Sequence, residues 1–466
     1  MNTQAKVLTA RDVAKWHFIA AIALFQLQVI FGLMSVAHYV FGDFFYNHLF
    51  DFHVTRTYHT NLLIVWLLIG FMGATYYLLA DEGQVNVKWP RLALVNLALF
   101  VAGGVAGLVC YLFRYWQGRE FVELPWQLDV AVVLVVGLFL ANVFATYFSG
   151  KRRTSIQSVM ILGFTLAGAL YIPANLHIDN EVMQSYYWWW TVHLWVEGVW
   201  ELIMGSMLAF LLVKMTGVDR EIMEKWLYVV VSLTFFTGLL GIGHHYYWIG
   251  TPRYWLLIGG LFSAMEPLAF IGMILYALFA KKKETAPHPN KAAMLWTISC
   301  TVMATIGILH GMAQTLPEVN QYTHGTHTTA SHGHLAFYGA YAMINLSFFT
   351  YMIPVIHDIE VDRWNQGYNR LSFYIMLLGM LGITTSTTIG GITQVVFERL
   401  LGRPYMLVQE MPSIVTSYQL WMFFGLIFLA GSLLFAYNFI FPERGLAGEE
   451  EARIPLGIGA KEASRA

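Results

Sequence analysis

Apolar residues run along this chain in long unbroken stretches, and the polar residues gather between them. About twenty consecutive apolar residues suffice for a helix to cross a bilayer. Only helices and closed barrels can pair all their backbone polar groups in hydrocarbon. The pattern predicts twelve spans, at 17–41, 58–80, 91–113, 127–148, 155–173, 186–214, 225–249, 254–280, 292–316, 327–354, 370–397 and 416–441. The connections are short. An all-α integral membrane protein is therefore expected, with a single membrane domain over 1–466 and a polar cytoplasmic tail at 442–466. No cleavage site precedes the first apolar run, so it is read as a retained helix.

Composition narrows the class. The chain is 57% hydrophobic and 12% charged, against about 25% charged in soluble proteins. A net charge of −1 speaks against nucleic acid as a partner. Cys110 and Cys300 both lie in apolar runs, with no C-x-x-C-H for covalent haem. With the N-terminus placed in the cytoplasm, 21 of the 27 Lys and Arg residues fall on the cytoplasmic side. That asymmetry sets the orientation, with both termini inside.

Two apolar spans carry small or hydroxyl residues. Gly103, Gly104 and Gly107 read as close helix packing. The run Thr384, Thr385, Ser386, Thr387 and Thr388 either lines a polar path or bonds back to its own helix.

The chemistry concentrates in YYWWWTVHLWVEGVWELIMGSMLAF, from Tyr186 to Phe210. His193, Glu197 and Glu201 follow one another at four-residue intervals, which on an α-helix places them along one face. Two acids and an imidazole inside a membrane are costly unless a cation pairs with them. Of sixteen histidines, most sit at span ends or in loops, where a structural role suffices; His310, within the ninth span, is less easily placed. Six others, His59, His193, His244, His245, His332 and His334, fall at one depth in the outer half of the bilayer. His332 and His334 are two apart, about 200° around a helix, and so serve two cofactors on opposite sides better than one metal. A low-spin haem needs two axial ligands and a gas-binding haem one. His244 and His245 end a span, where a distorted turn lets both reach one ion. Three imidazoles and a carboxylate suit a first-row metal such as iron.

Twelve spans with these histidines resemble the haem–copper oxidase superfamily. Oxidases carry H-P-E-V-Y in span six; here HLWVEGVWE puts Glu197 where the tyrosine would be. HTNLLIVWLL, TGVDREIMEKWLYV, GIGHHYYWIG and HGHLAFYGAYAMI are similar to the large, cytochrome b subunit of cytochrome c-dependent nitric oxide reductases of bacterial inner membranes. The resemblance implies that two NO are reduced to N2O and water. It makes His59 and His334 axial ligands of a low-spin haem b and His332 the ligand of a high-spin haem b3. His193, His244, His245 and Glu197 would bind a non-haem Fe. Glu201 and Glu266 would be acids behind that site. Arg56 would lie near the haem propionates, and Glu120 would help hold a Ca2+. Electrons would come from a membrane-anchored cytochrome c subunit. Two rivals remain: an oxygen-reducing oxidase of the same superfamily, and a twelve-span transporter without redox chemistry, which would be colourless.

Overall fold

The computed structural model describes residues 7–42, 48–117, 119–265, 267–279 and 288–443. Its described residues are almost entirely helical. Eleven helices are long and apolar enough to cross a membrane: α1 (Ala10–Phe41), α2 (Phe52–Gly83), α3 (Pro90–Leu112), α4 (Trp126–Ser149), α5 (Ser155–Ala174), α6 (Glu181–Thr216), α7 (Arg220–Tyr246), α10 (Lys291–Thr315), α11 (His327–His357), α12 (Gly367–Leu400) and α13 (Pro412–Ile440). The remaining expected span, 254–280, is described as α8 (Tyr254–Met265) and α9 (Pro267–Phe279) on either side of residue 266. Glu266 itself lies outside the described residues, as does the tail from 444 onward.

Local chemistry sets many of the helix ends. Thr9 and Asp12 form a reciprocal capping box at the start of α1, and Thr154 and Gln157 another at α5, each satisfying orphan N–H groups. Asp51 and Asp219 cap α2 and α7. Gly217 takes a left-handed φ of 68° after α6, a conformation open to glycine at little cost.

Burial orders the bundle. In α6 and α11, 83% and 89% of the apolar window is buried, against 28% in α3, α4 and α13, so α6 and α11 form its centre. Helices α12 and α13 meet closely at glycine. A Cβ on Gly379 would come within 2.7 Å of the Phe428 backbone nitrogen, and one on Gly382 within 2.0 Å of the Phe424 ring. Such small-residue contacts replace the hydrophobic drive that lipid removes.

The glycines of α3 behave differently. Gly103 and Gly104 have nothing within 4 Å of an added Cβ. They border an apolar cavity between α1, α2, α3, α4 and α5, so the expected close packing is found only at Gly107, against Leu124. The hydroxyl run of α12 bonds back to its own turns: Thr384 to Met380, Ser386 and Thr387 to Ile383, and Thr388 to Thr384.

Candidate metal centre and haem cavity

The helix α6 is not regular through its site. Residues Trp195–Val199 form a π turn, with Glu197 at φ −97°, ψ 31°. Single π turns inside α-helices occur frequently at functional sites. The wider turn modifies the simple one-face reading: Glu197 is displaced relative to an α-helical course between His193 and Glu201. It also changes the backbone pairing, since the N–H of Trp200 reaches back to Trp195. The Val196 carbonyl accepts from the Tyr341 hydroxyl of α11. Tyr341 lies in a second π turn, Phe337–Ala342, so the irregular turns of the two central helices are joined by a hydrogen bond.

Glu197 thereby meets three imidazoles. Its carboxylate oxygens lie 3.6 Å from His193 Nδ1, 3.8 Å from His244 Nε2 and 4.0 Å from His245 Nε2. One ligand atom from each of the four residues falls within 4.8 Å of every other. Ligands about 2.1 Å from a tetrahedral metal lie about 3.4 Å apart, so the separations approach those of a common ion. The outward-facing atoms of two rings are held in place. His193 Nε2 donates to the Gly238 carbonyl at 2.8 Å, and His244 Nδ1 lies 2.6 Å from Ser263 Oγ. His193 Nδ1 and His245 Nε2 are buried without a hydrogen-bond partner. Both face the Glu197 carboxylate, and a metal ion held between them would satisfy both. His244 and His245 converge because α7 tightens into a 3-10 turn at Ile242–Tyr246. The His245 ring stacks on Trp189 at 4.2 Å.

Glu201 is 8% exposed and accepts from the Thr234 hydroxyl at 3.2 Å. His332 turns toward His310, with ring centroids 5.8 Å apart at 86°. It also lies within electrostatic range of Glu197, His244 and His245. A Cβ on Gly311 would come within 2.6 Å of the His332 ring.

On the other side of α11, His334 faces His59 with ring centroids 6.1 Å apart and planes at 29°. Each ring has its Nδ1 beside a carbonyl, that of Ala330 for His334 and that of Gln28 for His59, both at 2.8 Å. That leaves His334 Nε2 as a ligand of the right kind for an iron, while His59 Nε2 lies 3.4 Å from the Gln28 amide nitrogen, a contact that an iron would replace. Both rings line a cavity of about 450 Å³ that also includes Arg56 and Glu120. The approach of α1 depends on Gly32, where a Cβ would stand 2.6 Å from His59 Nδ1. Gly32→Ala is expected to displace this ring and cut the sharp reduced α band of a low-spin haem by roughly half or more. An unaltered visible spectrum would count against the pairing.

Arg56 Nη2 pairs with Glu120 Oε1 at 2.5 Å at the edge of this cavity. Trp188 Nε1 donates to the Glu120 carbonyl. Glu123, in the connection between α3 and α4, accepts from Asn61 Nδ2 at 2.9 Å. Burial pushes its carboxyl up from 4.5 to about 7, opposed by the Asn61 hydrogen bond. The folded chain therefore binds this proton more tightly than the unfolded chain. The stabilisation is complete below pH 4.5, is lost as pH rises through about 7, and then levels off. Glu123→Gln keeps an acceptor for Asn61 and removes the titration. It is expected to be about 2–3 kcal/mol more stable than the parent at pH 8 and equal near pH 4. Thermal inactivation at the two pH values measures this, and an equal difference at both would refute it.

The structure thus brings together His193, Glu197, His244 and His245, sets His59 opposite His334, and turns His332 to the metal-centre side. Sequence reasoning missed Gln28, Ser263, Gly238 and Tyr341, which orient ligands or hold the π turn. Gln28 and Gly238 act through backbone carbonyls, which carry no sequence signal.

Comparisons with known proteins show the family of the chain. The family model for Cytochrome C and Quinol oxidase polypeptide I matches residues 12–434. The B subunit of nitric oxide reductase from Stutzerimonas stutzeri is 42% identical, with 98% of each chain covered. A Cbb3-type cytochrome c oxidase subunit CcoN1 of the same organism is 22% identical, over 82% of this chain and 84% of its own length. Among solved structures, a heme-copper terminal oxidase dimer studied by cryo-electron microscopy superposes with a TM-score of 0.68 at 17% identity, covering 93% of this chain and 84% of that one. The chain therefore belongs to the Cytochrome C and Quinol oxidase polypeptide I family and, within it, to the B subunits of nitric oxide reductases.

Proposed function

We propose that the chain is the catalytic subunit of a respiratory nitric oxide reductase, converting two NO to N2O and water. The observation that carries this reading is the carboxylate of Glu197 among three imidazoles. It gives the metal centre an anionic oxygen ligand, suited to a non-haem iron rather than to soft copper(I). His332 would hold a high-spin haem b3, and His59 with His334 a low-spin haem b. When bound, the two irons of the reaction site supply binding points for NO and the electrons for its reduction.

The chain's own residues do the rest. Gly238 and Ser263 fix the His193 and His244 rings, so the ligand atoms are held before a metal arrives. Glu197 contributes a negative charge that favours the oxidised ion. Glu201, bonded to Thr234, is positioned to pass a proton from its other carboxyl oxygen. Glu266 is proposed for a similar role on the resemblance alone. At the cavity edge, Arg56 would bind haem propionates. Propionates beside Glu120 gather like charges, which a bridging Ca2+ would relieve. The chain carries no C-x-x-C-H, so a membrane-anchored cytochrome c subunit is proposed as electron donor, on the outer face of a bacterial inner membrane.

Metal analysis of the purified protein is the direct test. About three irons per chain and no copper are expected under this assignment. Stoichiometric copper would favour the oxygen-reducing alternative, and a colourless, metal-free protein would remove both.

A further inference from the structure

At the end of the bundle away from the six histidines of the candidate sites, about 36 Å along α2 from His59 by helical rise, two connections are tied into one corner. The Lys88 backbone N–H donates to Thr146 Oγ1 at 3.0 Å, and that of Trp89 to Asn142 Oδ1 at 3.2 Å. Asn142 Nδ2 returns a bond to the Trp89 carbonyl at 3.0 Å. The Lys151 N–H donates to the Gly83 carbonyl at 2.9 Å. Lys88, Arg91, Lys151, Arg152 and Arg153 are all exposed here.

Several cations at the same end are paired instead. Lys214 pairs with Asp81 at 2.6 Å, Lys225 with Glu221 at 2.7 Å, and Arg11 with Asp358 at 2.7 Å. Arg220 grips Glu82 with two nitrogens, at 2.6 and 2.9 Å. Among the described residues, no carboxylate pairs with any of the five at the corner. No acid occurs in the connecting segments 84–92 and 149–154. Arg153 instead lies over the Phe148 ring at 5.4 Å. Beside Lys88 and Arg91 opens a cleft of about 820 Å³, walled by Val7, Leu8, Trp89 and Leu92. Trp89 and Phe148 are exposed at helix ends, the level at which aromatic residues meet lipid headgroups.

We propose that this corner is a binding site for an anionic phospholipid of the phosphatidylglycerol type. Its phosphodiester would sit on Lys88 and Arg91, its glycerol and upper acyl carbons would enter the apolar cleft, and Lys151, Arg152 and Arg153 would supply the flanking field. The bonds that tie the two loops hold the cationic backbone positions in place before the lipid arrives, which lowers the ordering cost of binding. Unpaired cations favour the headgroup because they need give up no carboxylate to bind it.

The test uses the purified membrane complex, with dioleoyl phosphatidylglycerol and, separately, dioleoyl phosphatidylcholine added before native mass spectrometry. The parent is expected to retain the anionic lipid at least roughly tenfold better. Each cation removed should cost about fivefold. Two double variants, Lys88→Gln with Arg91→Gln and Arg152→Gln with Arg153→Gln, are scored independently, so failure of one to assemble leaves the other. Lys225→Gln, a paired cation on the same surface, should change nothing. Equal retention of the two lipids by the parent would overturn the site, as would unchanged retention in either assembled double variant. Displacement by millimolar inorganic phosphate alone would mark a soluble-anion site and overturn the lipid assignment.

Discussion

Replacing Glu197 with alanine is expected to lower NO reduction by roughly a thousandfold or more, about 4 kcal/mol of lost transition-state stabilisation. Three imidazoles would remain, but the anionic oxygen 3.6 to 4.0 Å from each would be gone. Iron occupancy of that centre should fall with activity, while both haem signals persist, because the proposed haem ligands are His59, His332 and His334. Glu197→Asp separates the carboxylate from its reach: a shorter arm on the same π turn should recover some metal and less turnover. A Glu197→Ala enzyme with full iron content and full activity would sink the assignment of this residue as a ligand.

The second large effect divides the two histidines of α11. His334→Ala removes one of the two facing rings in the cavity proposed for the low-spin haem. It should abolish the sharp reduced α band and stop electrons reaching the metal centre, while leaving a haem able to bind carbon monoxide. His332→Ala should do the reverse, keeping the sharp band and losing carbon monoxide binding. Activity should be lost in both, by roughly a hundredfold or more. Reduced and carbon monoxide-treated spectra of the two variants decide the matter. Identical spectra would mean that the two rings do not serve separate cofactors.

Much of this was legible in the residue pattern because membrane helices advertise themselves. Spans of about twenty apolar residues must be helices, so the depth of His59, His193, His244, His245, His332 and His334 followed from counting. The two-residue spacing of His332 and His334 similarly separated their directions. The π turn at Trp195–Val199 was not legible, because five residues that pair i to i−5 look the same in sequence as five that pair i to i−4. The groups that aim the rings were hidden for another reason. The Gln28, Ala330 and Gly238 acceptors are backbone carbonyls, which every residue carries. The glycines misled in α3 and mattered elsewhere: Gly103 and Gly104 face open space, whereas Gly32, Gly238 and Gly311 let other groups approach Glu197 or a histidine. Glycine marks a place where something comes near or nothing does, and the chain alone does not distinguish the two.

The walls of the cavity between His59 and His334 come from distant parts of the polypeptide. Val29 and Val36 of α1 line it from the first helix, and Trp421 and Phe428 of α13 from the last. During synthesis, the chamber consequently has no far side until α13 has entered the bilayer. A chain caught partway presents His59 and His334 in an unfinished cleft. Completion of this pocket therefore waits on α13, and a filled chamber reports that this helix has been delivered.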